Sequence, residues 1–218
     1  NLSDLTYRAE AVLKEVDIIA AEDTRTSRKL LNHYKISTKV IPYHDKNEVF
    51  QAQKILSKLD NGLSIAIISD AGTPCISDPG YRLVNLAKIK KIDVISIPGP
   101  SSVTSSLSIS GLPTDHFYFE GFLPPKKGRK TRFESLEFLP ATIVIFESPH
   151  RILKTLKDIS SYWGNRVVSV CRELTKLYEE SFLGTADEAY EYFSNSKPKG
   201  EFVVLIAKKD YILNLWSL

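Results

Sequence analysis

Residues 63–80 read LSIAIISDAGTPCISDPG. The opening apolar run has the length and β-branched content of a buried strand. It ends abruptly in SDAGTPCISDPG (69–80), which holds two aspartates, two glycines and two prolines. Gly72 and Gly80 admit backbone angles barred to other residues and let a ligand approach the main chain. Pro74 and Pro79 fix φ and stiffen the loop. Ser69, Asp70 and Thr73 put oxygens at the strand tip. Such a loop suits a polar ligand held by amides and carbonyls. An elaborate turn with aspartate caps is the plainer alternative, and the motif alone leaves both open.

The neighbouring segments give the strand its setting. Asn1–Val16 carries apolar residues on one helical face, with Ser3 or Asp4 as candidate caps. DIIAAEDTR (17–25) is a short apolar strand ending in charge. TSRKLLNHY is helical, KVIPYH (39–44) is a strand, and NEVFQAQKILSKLDNG is a helix stopped by Asn61-Gly62. After the opening stretch come the helix GYRLVNLAKIKK, a strand in KIDVISIPGP, and a helix of small residues, SSVTSSLSISGL. Alternating strands and helices imply βαβ units and a mainly parallel sheet covered on both faces. In such sheets ligands bind beyond the carboxyl ends of the strands. Three strands end in unusual turns: AAEDTR, SDAGTPCISDPG and IPGPSS. In a parallel sheet all three fall at one edge.

The character changes after Leu112-Pro113. DHFYFEGFLPP, ATIVIFESPHR, RVVSVCREL and GEFVVLIAKKD read as strands. RFESLEFL and ILKTLKDISSYWG read as helices, and YEESFLGTADEAYEYFSN combines a strand with a helix. The fold class is therefore α/β. It comprises an N-terminal domain (1–113) with a mainly parallel sheet and a C-terminal domain (114–218) with a mixed sheet, hinged near Pro113–His116.

Composition excludes several classes. With 218 residues, 43% hydrophobic and 25% charged, the chain can bury a real core. Its net charge of +3 permits a polyanionic partner without arguing for one. Two cysteines and no secretory leader point to reduced thiols in the cytoplasm. No apolar run reaches membrane-span length. The four histidines lack metal-ligand spacing, so no metal is expected. The absence of any methionine points to an N-terminal segment missing ahead of Asn1.

Several side chains stand out as chemistry. Glu22 and Asp23 leave a buried strand together, where carboxylates can acquire raised pKa values and act as bases. Capping the next helix or pairing with Arg25 or Arg28 is the plainer reading. ESPHR (147–151) repeats this layout with Glu147 and Arg151. Ser101 and Ser102 fall where a helix N-terminus offers free amides to an anion. KKGRKTR places Lys126, Lys127, Arg129, Lys130 and Arg132 between Phe122 and Phe133, a mixture of charge and rings that suits RNA, with a solvated charged loop as the plainer reading. Neither glycine-rich loop matches a dinucleotide or nucleoside-triphosphate fingerprint, and no G-x-S-x-G elbow occurs.

Together AEDTR, SDAGTPCISDPG, PGPSSVTSSLSISGLP, FYFEGFLP, FESPHR and CRELTK, in this order and spacing, closely resemble the bacterial ribosomal RNA small subunit methyltransferase I family, a branch of the tetrapyrrole methylase superfamily. The resemblance runs from Asn1 to about Lys209. It implies two α/β domains with S-adenosylmethionine bent in the cleft between them, commonly in a homodimer. A first strand is expected before the NLSD at which this chain starts. The implied activity is methyl transfer to the ribose 2′-hydroxyl of a cytidine in 16S rRNA of the small ribosomal subunit, with no membrane and no metal. By motif, the cofactor would be held by Asp70, Ala71, Gly72, Thr73, Pro74, Cys75, Ile76, Ser101 and Ser102, with Phe146, Glu147 and Leu174 from the second domain. The wider superfamily carries Gly-Gly-Asp-Pro where this chain reads AGTP, which leaves Asp70 to replace the aspartate. As general base the resemblance favours Glu22, then Asp23, then Asp70. Arg25, Lys126, Lys127, Arg129, Lys130, Arg132 and Arg151 are the RNA-binding candidates. Two alternatives stay open: methylation of a tetrapyrrole or a protein by the same fold, or a non-catalytic RNA-binding assembly factor.

Overall fold

The structure, a computed structural model, describes residues 1–195 and 197–213. The chain forms two compact units, Asn1–Ser101 and Ser102–Leu218. Pro113–His116, the expected hinge, lies within the second unit as the structure divides the chain.

The first unit opens with a 3₁₀ turn, Leu2–Asp4, and helix α1 (Tyr7–Glu15). The single helix expected from Asn1 is interrupted because the cap is Thr6, not Ser3 or Asp4. Thr6 is extended, and its Oγ1 accepts the Ala9 amide at 3.1 Å. Strand β1 (Ile18–Ala21) is wholly buried. It sits between β2 (Lys39–Pro42) and β3 (Ile65–Ile68) in a three-stranded parallel sheet. Ala21 stands level with both Pro42 and Ile68, so the three strands stop together. Helices α2 (Thr24–His33) and α3 (Glu48–Asp60) make the crossovers, and α4 (Tyr81–Ile89) follows β3. Ala20, Tyr43, Ile55, Leu56 and Leu83 form one core cluster, and Leu13, Ile19, Leu31 and Ile36 another.

The strand expected in KIDVISIPGP does not form. Residues 92–101 carry no regular secondary structure. Ile92 and Val94 pack against the core, and Ile95 is exposed. The reason is pairing. No described strand offers this segment a hydrogen-bond ladder, and without one an extended stretch is not a sheet member. It is tied to the chain start instead: Thr6 Oγ1 donates to the Pro98 carbonyl at 3.2 Å and Arg8 Nη2 to that of Ser96 at 3.0 Å.

The second unit carries a five-stranded mixed sheet in the order β4 (Phe117–Phe122), β5 (Thr142–Glu147), β8 (Phe202–Ile206), β6 (Val167–Arg172), β7 (Glu180–Thr185). Only β4 and β5 run parallel among these neighbours. Helices α5 (Ser102–Ile109), α6 (Arg129–Leu136), α7 (Ile152–Trp163) and α8 (Ala186–Ser194) complete it. The pleat sorts the strand residues. Ile143, Ile145, Val204 and Ile206 join the cluster with Phe133, Leu156 and Phe193. Val144, Val203 and Leu205 join Val103 and Leu107. With both faces covered, these strands read as continuous apolar runs.

Candidate active site

The strand tips of the first unit form one connected structure. Beyond Ala21 the ladder continues: the Glu22 amide donates to Ile68 O at 3.3 Å and the Tyr43 amide to Ala21 O at 2.8 Å. Side chains then bridge the tips. The Asp70 amide donates to Glu22 Oε2 at 3.3 Å, and the Asp23 amide to Asp70 Oδ1 at 3.1 Å. A cleft of about 520 Å³ opens over them, lined by Glu22, Asp23, Thr24, Arg25, Pro42, His44, Asp45, Lys46 and Asp70.

Sequence reasoning missed the β2 contribution of His44, Asp45 and Lys46. The signal was present. β2 belongs to the same parallel sheet, so its polar tip YHDKN had to emerge beside AEDTR. Asp78 was missed as well, because its neighbours come from three separate segments.

The carboxylates at these tips differ in environment. Among the candidate bases, Asp70 accepts the Asp23 amide at its Oδ1, and Glu22 and Asp23 part ways, with Asp78 beside them. Burial pushes the Glu22 carboxyl up; the Asp70 amide opposes this, while the charges of Asp70, Asp45 and Asp23 add to it. Asp78 is pushed up to about 6, first by burial and then by Glu22, with the Ser69 hydroxyl opposing and Asp70 and Asp45 adding. Asp23 goes the other way. It caps α2, its Oδ1 accepting the Arg25 amide at 2.8 Å, and its carboxylate binds the Arg25 guanidinium at 2.7 Å. These bonds hold it well below the usual carboxylate range. The capping function weighed for Asp23 is thus its observed structural job. Arg25 itself is 87% exposed at its side chain.

The loop after β3 is held in an unusual backbone form. Gly72, Cys75, Ser77 and Gly80 all have positive φ. A Cβ at Gly80 would overlap Cys75 Sγ, so that position requires glycine. Thr73 Oγ1 donates to Pro100 O at 3.0 Å, joining this loop to the Pro-Gly-Pro turn. Asp70, Ala71, Gly72, Thr73 and Ile76 are exposed, with Pro74 and Cys75 partly so. Such an exposed, non-repetitive backbone offers amides and carbonyls outward. Ser101 is the last residue of the first unit, and Ser102 starts α5 in the second.

In the second unit, Phe146 and Glu147 are neighbours on β5 and face opposite ways. Phe146 packs with Phe119, Phe122 and, through the shared cluster, the region of Leu174. Glu147 points into the interior with a fully buried side chain. It accepts from Thr155 Oγ1 at 2.6 Å and the Ser148 amide at 2.7 Å, and pairs with Arg151 at 2.8 Å. The resemblance implies that both residues line the cofactor pocket; on β5 the pleat sends Phe146 into the cluster with Leu174 and Glu147 into the opposite interior.

The basic segment is also divided. Lys126, Lys127 and Lys130 are exposed, Lys130 facing Glu134 at 3.7 Å. Arg129 is buried: it binds Asp158 at 2.7 Å, Thr155 Oγ1 at 2.8 Å and Pro124 O at 3.1 Å. Arg132 is clamped to Glu120, at the β4 bulge, and to the Tyr118 hydroxyl. Arg151 donates to Leu123 O at 3.1 Å besides binding Glu147. These three guanidiniums hold the fold together; the exposed cations of the segment are lysines, of which Lys130 pairs with Glu134.

No group of three or more His, Cys, Asp or Glu among the described residues could hold a metal ion. No described helix is long and apolar enough to cross a membrane.

Comparison with known proteins agrees with this architecture. Residues 1–190 match the profile of the Tetrapyrrole (Corrin/Porphyrin) Methylases. The chain is 45% identical over 210 residues to the Ribosomal RNA small subunit methyltransferase I of Thermotoga maritima, covering 96% of this chain and 95% of that protein. It is 48% identical over 207 residues to the protein of that name from Halalkalibacterium halodurans, covering 94% and 72%. Among solved structures, diphthine synthase superposes with TM-score 0.73 at 12% identity, over 95% of this chain and 86% of that one. A uroporphyrin-III-C-methyltransferase from Thermus thermophilus gives 0.65 at 16%, over 94% and 89%. These two likenesses concern the fold alone. The chain belongs to the tetrapyrrole methylases, and within them to the ribosomal RNA small subunit methyltransferase I family.

Proposed function

We propose that this protein transfers a methyl group from S-adenosylmethionine to the ribose 2′-hydroxyl of a cytidine in small-subunit ribosomal RNA. The observation that carries the reading is Glu22: a partly desolvated carboxylate at a strand tip, oriented by the Asp70 amide and facing a nucleoside-sized cleft. Relatives over nearly the whole chain carry the name of a ribosomal RNA methyltransferase.

The cofactor fits the loop after β3. Asp70–Ile76 and Ser101 would hold its amino-acid and ribose parts through exposed amides, carbonyls and hydroxyls. When bound, it supplies an electrophilic methyl on a sulfonium. The protein's own residues do the rest. The cleft is acidic at Glu22, Asp45 and Asp70, so it disfavours a phosphate and favours neutral donors such as ribose hydroxyls. A ribose hydroxyl is weakly acidic, so Glu22 takes its proton as the oxygen attacks. The fixed strand tips contribute alignment, the larger share of the barrier in an in-line displacement. Of the candidate RNA-binding cations, Lys126 and Lys127 are exposed, and Arg25 and Lys130 are exposed while pairing with Asp23 and Glu134. The homodimer implied by the resemblance is part of the proposal; sedimentation tests it.

The test is transfer of labelled methyl to isolated small ribosomal subunits, with a porphyrin precursor and a protein fraction in parallel. Label recovered as 2′-O-methylcytidine supports the reading. Label entering only the precursor or protein, or none anywhere, refutes it.

A further inference from the structure

His44 sits at the β2 tip as part of the cleft lining. Its ring state can be read from its neighbour. The Asn47 side chain is oriented without ambiguity: Oδ1 accepts the His44 amide at 2.9 Å, and Nδ2 donates to Pro42 O at 3.3 Å. Flipping the amide would set oxygen against oxygen and N–H against N–H. The second hydrogen of Nδ2 points at His44 Nε2, 3.2 Å away. Nε2 therefore accepts, and the ring proton resides on Nδ1. Nδ1 has no partner among the described residues.

Asn47 is diverted to make this arrangement. It stands at the N-cap of α3, where an asparagine ordinarily caps a backbone amide, yet it makes no capping bond. Gln51 Nε2 also donates to Pro42 O, at 3.1 Å, bracing the same turn. The β2 tip is thus built to hold one imidazole tautomer with one N–H left over.

Its surroundings define what that N–H can meet. The cleft is otherwise lined by the carboxylates of Glu22, Asp23, Asp45 and Asp70, the cations of Arg25 and Lys46, the Thr24 hydroxyl at the start of α2, and Pro42. Arg25 is bound to Asp23. Carboxylates accept from the donors of a nucleoside but cannot serve its carbonyls. A phosphate is disfavoured among them. We propose that His44 is a positioning residue whose Nδ1–H donates to an uncharged acceptor on the target nucleoside, a carbonyl of its base, and so complements the carboxylates that take its hydroxyls. This rests on the RNA methylation reading above and adds a base-recognising contact to it.

The experiment uses the full chain. Long-range ¹H–¹⁵N spectra of the histidine-labelled protein should show His44 protonated at Nδ1 and bare at Nε2; the reverse pattern overturns the proposal. In methyl transfer to small ribosomal subunits, His44→Ala should lower kcat/KM about tenfold, the loss expected for one neutral hydrogen bond with its partner stranded. Affinity for S-adenosylmethionine should not change. His44→Asn puts an N–H near the place of Nδ1 and should restore activity to within about threefold, whereas His44→Gln, which reaches toward Nε2, should not. An active wild type with an equally active His44→Ala variant, or rescue by glutamine in place of asparagine, overturns the His44 assignment alone. A wild type that transfers no methyl to the subunits removes the underlying reading, and this proposal with it.

Discussion

The Asp70 backbone amide donates to Glu22 Oε2 at 3.3 Å, so the tip of β3 aims the side chain at the tip of β1. Forty-eight residues separate the two in sequence. Parallel strands that stop level with one another make the contact possible, and the loop SDAGTPCISDPG supplies the amide. The central chemical claim depends on this contact.

Replacing Glu22 by Gln removes the base while keeping the shape. Methyl transfer to small subunits should drop by a factor of about 10²–10⁴ in kcat, the usual span for one general base. Calorimetry with S-adenosylmethionine should return the wild-type affinity. Undiminished turnover would take Glu22 out of this role.

Asp78 makes stability depend on pH. In the folded protein its carboxyl is pushed up to about 6, above the ordinary aspartate value of 3.8. The folded protein therefore binds more protons than the unfolded chain between those values. This contribution is fully present below about pH 3.8 and lost as pH rises through 6. Asp78→Asn should stabilise the protein at pH 7.5 by on the order of 1 kcal/mol, the shift being discounted because the group is only partly buried. It should also flatten the stability profile between pH 4 and 6, read by urea denaturation across that range.

Arg129 and the adjacent lysines should behave oppositely. Arg129→Ala leaves Asp158 and Thr155 without their partner in a largely dry setting and should cost about 3 kcal/mol of stability. Lys126→Ala with Lys127→Ala should leave the melting temperature nearly unchanged. If the exposed pair meets phosphates, the double variant should reduce the slope of log affinity for RNA against log salt by about 1.5. A stable Arg129→Ala protein would contradict the buried network.

Gly80→Ala places a Cβ on Cys75 Sγ at a φ that L-residues avoid. A loss of about 1–3 kcal/mol is expected from thermal melts. Adding Cys75→Ala should recover the overlap part of the loss and leave the backbone part. Full additivity of the two changes would show that the sulfur is not the obstacle.

The parallel sheet was legible because apolar runs alternate with amphipathic helices and each run ends in breakers. The charged tips AEDTR and SDAGTPCISDPG were legible for the same reason. His44 and Asp78 were not, since nothing local distinguishes them from ordinary turn residues; only the packing of β2 and the loop beside β1 gives them neighbours. KIDVISIPGP has a strand's composition, but composition cannot supply a pairing partner. In KKGRKTR and FESPHR the charges were visible in sequence. Which of them were buried was not, because Arg129, Arg151 and Glu147 meet acceptors and donors that lie on α7 and the β4–α6 turn.

The most direct test of the whole account is nucleoside mass spectrometry of small-subunit RNA treated with the protein and isotope-labelled S-adenosylmethionine. A single labelled 2′-O-methylcytidine, lost with Glu22→Gln, is the predicted result. Label on a base, or RNA left unlabelled while another acceptor takes the methyl, would contradict it.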